Sequence, residues 1–138
     1  MNTEAVAQTQ LSVALNLPFE LVIDRAKEAF KAEGFGTLTQ VDVRATLKEK
    51  IGEEIEPYTI LGMCNPHLAS RAIQAEHEIG LFLPCNVLVH ECGGQVHLRA
   101  QDPALMMQLA ENAALGPIAL EARERIERAL ESMRNQQG

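Results

Sequence analysis

The sequence has no tryptophan and few aromatic residues of any kind. Only 4% of its 138 residues are aromatic, whereas 46% are hydrophobic. A core built from this chain must therefore consist of Leu, Ile, Val, Ala and Met side chains. With 22% charged residues, the composition is that of an ordinary globular protein rather than a disordered one. The length suits one domain with one core.

Positive charge is also scarce. There are 12 Lys and Arg residues against 19 Asp and Glu, which gives a formal net charge of -7. Nucleic acids and anionic membranes bind clustered Lys and Arg, so this balance argues against both as partners. No apolar run approaches the length that spans a bilayer, and the first ten residues do not resemble a secretory signal peptide. We expect a cytoplasmic protein with a single domain over 1–138 and loose termini at 1–9 and 135–138.

The chain has only 3 cysteines, and the number is odd. In a chain without a secretion signal, this predicts free thiols in a reducing compartment rather than a disulfide framework. The sequence also lacks GxSxG, GxGxxG, P-loop and HExxH patterns and the paired short spacings of a structural zinc site. It therefore indicates no reaction class and no cofactor, and both remain unknown at this stage.

The order of apolar patterns predicts an α+β fold. Strands, helices and one hairpin follow one another, and Gly93-Gly94 between two alternating segments is a strong hairpin signal. We therefore expect a mostly antiparallel sheet with helices packed on one face. The predicted strands cover 10–17, 35–41, 58–63, 85–92 and 95–100, and the predicted helices cover 18–33, 43–51, 66–75, a short segment after Pro103, and 118–134. Two helices carry apolar stripes that should face the core, namely Val43, Leu47 and Ile51, and Leu68, Ala72 and Ile73.

Two Cys-Asn pairs, each beside a proline, are the best candidates for a site. Cys64 precedes Asn65, a good N-cap for the helix that begins at Pro66. The positive end of a helix favours a thiolate, so Cys64 is a candidate reactive or ligating group. Alternatively, Cys64 is a small buried hydrophobe, as free cysteines often are. Cys85 shares its strand face with Val87 and Val89, so it should face the core, and Asn86 follows it.

The hairpin suggests a second, metal-binding patch. If Gly93-Gly94 form the loop, His90 lies directly opposite His97, and Cys92 shares their face. Two imidazoles and one thiol are ligands that zinc or copper accepts. The alternatives are that this face is polar and solvated, or that a partner subunit covers it.

Three ordered segments resemble a known family. They read GFGTLTQVDVRATLK over 34–48, YTILGMCNP over 58–66 and LPCNV over 83–87. In these segments the chain resembles the bacterial and archaeal family called domain of unknown function 302. The resemblance implies a compact α+β domain similar to one TATA-binding-protein-like repeat with additions, and a homodimer. It also implies candidate site residues at the motif positions, which are Cys64, Asn65, Pro66, Pro84, Cys85 and Asn86.

Three classes of function follow. The first is a homodimeric binding domain for a small ligand, metal or thiol partner near the two Cys-Asn turns, with the amides of Asn65 and Asn86 orienting the ligand and Cys64 reacting with it or ligating it. The second is an enzyme of thiol or sulfur chemistry with Cys64 as nucleophile. The third is a structural or partner-binding module whose cysteines are inert. Neither nucleic acid nor membrane is expected as a partner.

Overall fold

The protein is built on a five-stranded antiparallel sheet. The computed structural model describes residues 11–135, apart from the side chains of Met107 and Leu109. The strand order is β1-β5-β4-β3-β2, and every neighbouring pair is antiparallel. The strands are β1 (Ser12–Leu15), β2 (Gly36–Asp42), β3 (Tyr58–Cys64), β4 (Cys85–Cys92) and β5 (Gln95–Ala100). Of the loose termini predicted at 1–9 and 135–138, all residues except Asn135 lie outside the described part of the chain, and Asn135 directly follows the last helix.

Within residues 11–135, five α-helices connect or follow these strands. They are α1 (Phe19–Ala32), α2 (Val43–Ile51), α3 (Pro66–Ala75), α4 (Pro103–Ala110) and α5 (Gly116–Arg134), and short 3-10 helices cover His77–Phe82 and Ala113–Leu115. Along the described part of the chain, none of the helices has the length and apolarity that crossing a membrane requires. An antiparallel sheet combined with these helices is an α+β architecture, so the predicted fold class is confirmed.

The core lies between one face of the sheet and helices α1, α3 and α5. Alternate strand residues such as Leu15, Leu61 and Leu98 are almost fully buried, and so are Phe30 of α1 and Leu130 of α5. The period of two in the strands and of three to four in the helices places these residues on facing surfaces. The prediction of helices packed on one sheet face is confirmed.

The predicted β4–β5 hairpin has the expected register. Cys92 pairs with Gln95, and His90 pairs with His97. Gly93 and Gly94 form the loop with φ values of +63° and +79°, a left-handed conformation that glycine adopts without strain.

Two predicted core stripes were partly wrong. Helix α2 begins and ends as predicted, with Asp42 as N-cap and Gly52 as left-handed C-cap, but it has no buried residue. Ile51 is 67% exposed and Ile73 of α3 is 40% exposed. An apolar stripe indicates which face of a helix prefers burial, but whether a layer covers that face depends on the tertiary fold.

Candidate functional site: a thiol-lined cavity

The two Cys-Asn turns lie side by side. Strand β3 ends at Cys64 where β4 begins at Cys85, and Met63 pairs with Cys85 across the two strands. Both cysteines border a partly open cavity of about 30 Å³. The other border residues include Phe35, Met63 and Met106, and apart from Asn65 they are apolar or carry sulfur. A volume of this size holds about one water-sized guest.

Burial, together with the neighbouring Cys64, raises the pKa of the Cys85 thiol to about 11. Two thiols that would both become anions oppose each other's ionisation, and an apolar setting disfavours the charged form. Cys85 is therefore a neutral thiol at pH 7. The burial of Cys85 fits the prediction that it faces the core. Because Cys64 interacts electrostatically with Cys85, the fold brings the two cysteines together.

Asn65 holds the backbone of the cavity in place. Its Oδ1 accepts the Leu68 N–H at 3.2 Å as the N-cap of α3, and its Nδ2 donates to the Glu33 carbonyl oxygen at 3.5 Å. The residue is only 7% exposed. Both ends of this amide are therefore already engaged within the protein, at the junction between α3 and the C-terminal end of α1.

Asn86 lies apart from the cavity. Its side chain is exposed, and because side chains alternate along β4 it belongs to the sheet face opposite Cys85. The Asn86 N–H donates to Gln101 Oε1 at 3.2 Å, and its carbonyl accepts the Gln101 N–H at 2.9 Å. The cavity thus brings together three of the four predicted ligand-binding residues, namely Cys64, Asn65 and Cys85.

Gly62 sets the distance between the two turns. A Cβ on Gly62 would collide with Thr39 Oγ1 and would stand 2.8 Å from Pro84 Cγ. Real Cβ atoms essentially never come within 3 Å of another heavy atom in this way, so a side chain here would push β3 away from β2 or from the segment that leads into Cys85. The absence of a side chain at position 62 therefore lets Pro84 pack closely on β3.

The hairpin histidines form a stack on the sheet. The rings of His90 and His97 are 5.4 Å apart and tilted by 24°, and Tyr58 lies 5.6 Å from His90. Burial lowers the pKa of His90, and the positive charge that His97 can carry lowers it further. His97 Nε2 lies 3.1 Å from the carbonyl oxygen of Cys92, whose own side chain is exposed.

The predicted metal ligands are near one another but do not form a recognisable set. Within residues 11–135, no group of three or more His, Cys, Asp or Glu side chains is arranged to hold a metal ion. The His90–His97 pair is confirmed as a cross-strand pair, and the metal role of His90, Cys92 and His97 stays a prediction.

Sequence reasoning missed both methionines of the cavity. Met63 shares its strand face with Leu61, so its inward direction follows from alternation, but it immediately precedes a more conspicuous cysteine. Met106 comes from α4, far away in sequence, and no local pattern places that helix beside the Cys-Asn turns.

These features define a small α+β domain with a cavity bordered by two thiols. A family model described as domain of unknown function DUF302 matches residues 11–133, and the chain belongs to this family. It is similar to an uncharacterized conserved DUF302 protein from Bacillus stearothermophilus, whose crystal structure superposes with a TM-score of 0.82 at 31% identity over 87% of this chain and 94% of that one. No curated protein matches the chain.

Proposed function

We propose that this protein is a homodimeric binding domain whose ligand site is the cavity beside Cys64 and Cys85. The observation that carries the proposal is the convergence of both cysteines on one small space of about 30 Å³. Apolar side chains surround this space, and an apolar pocket with a few polar groups is the usual form of a small-ligand site. The space admits only a very small guest, such as an ion or the reactive end of a thiol compound.

The reducing cytoplasm is the proposed location. All three cysteines are free. Free thiols persist where the cellular redox buffer keeps them reduced.

The methionine ε-methyl groups provide the test of the site. Met63 and Met106 border the cavity, whereas Met133 is buried elsewhere in the core and serves as an internal control. Protein labelled with ¹³C in these methyl groups would be titrated with zinc, silver(I) and small thiols such as cysteamine. We expect at least one of these probes to shift the Met63 and Met106 signals and to leave Met133 unchanged. If every probe leaves all three signals unchanged, the cavity is not a ligand site.

Thiol reactivity separates this function from sulfur-transfer catalysis. In the folded protein we expect iodoacetamide to modify the exposed Cys92 first and Cys64 and Cys85 slowly. Fast modification of Cys64 in a Cys92→Ser protein would instead favour the enzyme hypothesis, with Cys64 as nucleophile.

The proposed homodimer forms through the exposed apolar side chains of β2 and α2. Leu38 is 65% exposed, Val41 is 46% exposed and Ile51 is 67% exposed, and β2 is an edge strand of the sheet. Burying such side chains against a second copy is favourable, by about 25 cal/mol for each Å² of apolar surface.

The test of the dimer is the solution mass measured by light scattering. We expect Ile51→Asp to produce monomers, while Leu81→Asp, at a site that is even more exposed (81%), leaves the mass unchanged. A wild-type monomer, or a dimer that Ile51→Asp does not weaken, would contradict the proposed surface.

A further inference from the structure

Sulfur is concentrated at the cavity. Thirteen residues border it, and four of these carry sulfur, namely Met63, Cys64, Cys85 and Met106. The whole chain of 138 residues has 3 Cys and 5 Met. Half of its sulfur-containing side chains thus meet at one small space, although they come from β3, β4 and α4.

The remaining border offers little to a hard cation, because its one polar side chain, Asn65, already uses its amide oxygen to cap α3. Among the described residues, no carboxylate and no imidazole borders the cavity. Calcium and magnesium require several oxygen ligands, and zinc sites use three or four cysteine, histidine or carboxylate ligands. Two thiols with two thioethers fit neither requirement. Soft thiolate and thioether ligands instead select copper(I).

The two methionines are held at the cavity wall. Met63 is 1% exposed and Met106 is 6% exposed. Thr37 Oγ1 donates to Met63 Sδ at 3.3 Å, which fixes this thioether while one lone pair of the sulfur remains available. Among the described residues, the border also supplies none of the imidazole and carboxylate ligands that copper(II) accepts.

We propose that the cavity binds one soft monovalent cation, with copper(I) as the chemical match, through the thiolates of Cys64 and Cys85 and the thioethers of Met63 and Met106. This inference rests on the proposed function, because it assigns a ligand class to the same site. Each cysteine that ligates the ion loses its thiol proton to solvent. The metal enters and remains as copper(I), so no electron is transferred.

The test is an anaerobic titration of the reduced full-length protein with copper(I), supplied as its acetonitrile complex in competition with bicinchoninate. The measurement is made in a Cys92→Ser background, so that the exposed thiol does not contribute. We expect one tightly bound ion per chain by native mass spectrometry, with shifts of the Met63 and Met106 methyl signals and none of Met133.

Substitutions identify the ligands. Cys64→Ser and Cys85→Ser should each weaken binding by more than roughly 100-fold, because the loss of even an outer-shell partner typically costs 10- to 100-fold in metal affinity. Met106→Leu nearly conserves volume, so it should fold and bind about 10-fold more weakly. Native-like far-UV circular dichroism of each variant shows that a loss of binding does not come from unfolding.

Two results overturn the inference. One is the absence of stoichiometric copper(I) binding, and the other is affinity that Cys64→Ser and Cys85→Ser leave unchanged. If copper(I) and silver(I) leave Met63 and Met106 unaffected but a small thiol or zinc shifts them, the soft-cation inference fails while the proposed site stands. If no probe of any class shifts these signals, both fail.

Discussion

Cys92 and Cys85 occupy different environments in one small chain. Cys92 is exposed at the end of the hairpin, whereas Cys85 lies beside the cavity with its pKa raised to about 11 by burial and by Cys64. The same side chain is therefore a solvent-accessible thiol at one position and a neutral, sheltered one at another. Environment, more than residue type, decides which thiol reacts.

Cys85 should make the protein less stable in alkali. Its pKa rises from 9.0 to about 11 on folding, so between these pH values the folded protein keeps a proton that the unfolded chain has lost. The stability that this thiol contributes is complete below about pH 9 and declines as the pH rises through about 11, by about 2 kcal/mol.

Urea unfolding at several pH values measures this effect. Lysine and tyrosine titrate in the same range in every variant, so the informative quantity is the difference in unfolding free energy between wild type and Cys85→Ser. We expect this difference to shrink by about 2 kcal/mol from pH 8 to pH 11. A difference that stays constant would contradict a raised Cys85 pKa.

His97→Gln should raise the pKa of His90. The substitution removes the positive charge that opposes protonation of the neighbouring ring, but burial continues to hold the pKa below its ordinary value. NMR titration of the imidazole signals measures the change, and His67→Gln, on the exposed surface of α3, is the control. An unchanged His90 pKa in His97→Gln would mean that the two rings do not interact electrostatically.

The lowered pKa of His90 also predicts that the protein loses stability in acid. Because folding lowers the pKa of His90, the unfolded chain binds this proton more readily as the pH falls below about 6.5, and the folded state loses stability there. In the absence of His97 this loss should be smaller.

At the scale of elements, α2 and α3 both begin with a side-chain N-cap, one exposed and one buried. Asp42 Oδ1 accepts the Ala45 N–H at 2.9 Å at the start of α2, on the surface, and Asn65 does the same for α3 in the interior. The exposed cap contributes one hydrogen bond, whereas the buried cap also donates to Glu33 and so links α3 to the end of α1.

Asn65→Ala should therefore destabilise the protein more than Asp42→Ala. Loss of an N-cap costs about 1 kcal/mol, and a buried position should bring the cost of Asn65→Ala to about 2 kcal/mol or more. Asn65→Asp keeps the capping oxygen and loses the Nδ2 donor, so its effect should be intermediate. Urea unfolding of the three variants ranks them, and equal costs for the two alanine variants would show that the link to α1 adds nothing.

At the scale of the molecule, stability depends on the contact of α5 with the sheet and with α1. Leu130→Ala removes a fully buried side chain and should cost about 2–5 kcal/mol. Leu120→Ala makes the same chemical change on the same helix at a side chain that is 58% exposed, and should change stability by less than about 0.5 kcal/mol. Thermal unfolding measures both, and similar costs would contradict this assignment of the core.

The sequence predicts local features of this fold well because their causes are local. The Gly93-Gly94 loop fixes the hairpin register, and Asn65-Pro66 marks the start of α3. What it did not predict depends on which surfaces meet. Ile51 has the spacing of a core residue, but no described layer buries it. Met106 borders the cavity through α4, which packs against α5, and no local pattern in the sequence shows that contact.

The contact between Gly62 and Pro84 also constrains how this protein can change over generations. Thr39 can turn its hydroxyl away from a new Cβ at position 62, but the Pro84 ring has no such freedom. Alanine at position 62 is therefore tolerated only after position 84 has already changed. If the alanine came first, the protein would carry the collision between the new Cβ and Pro84. The two positions form an epistatic pair with a preferred order of substitution. That order restricts how the segment beside Cys85 can evolve.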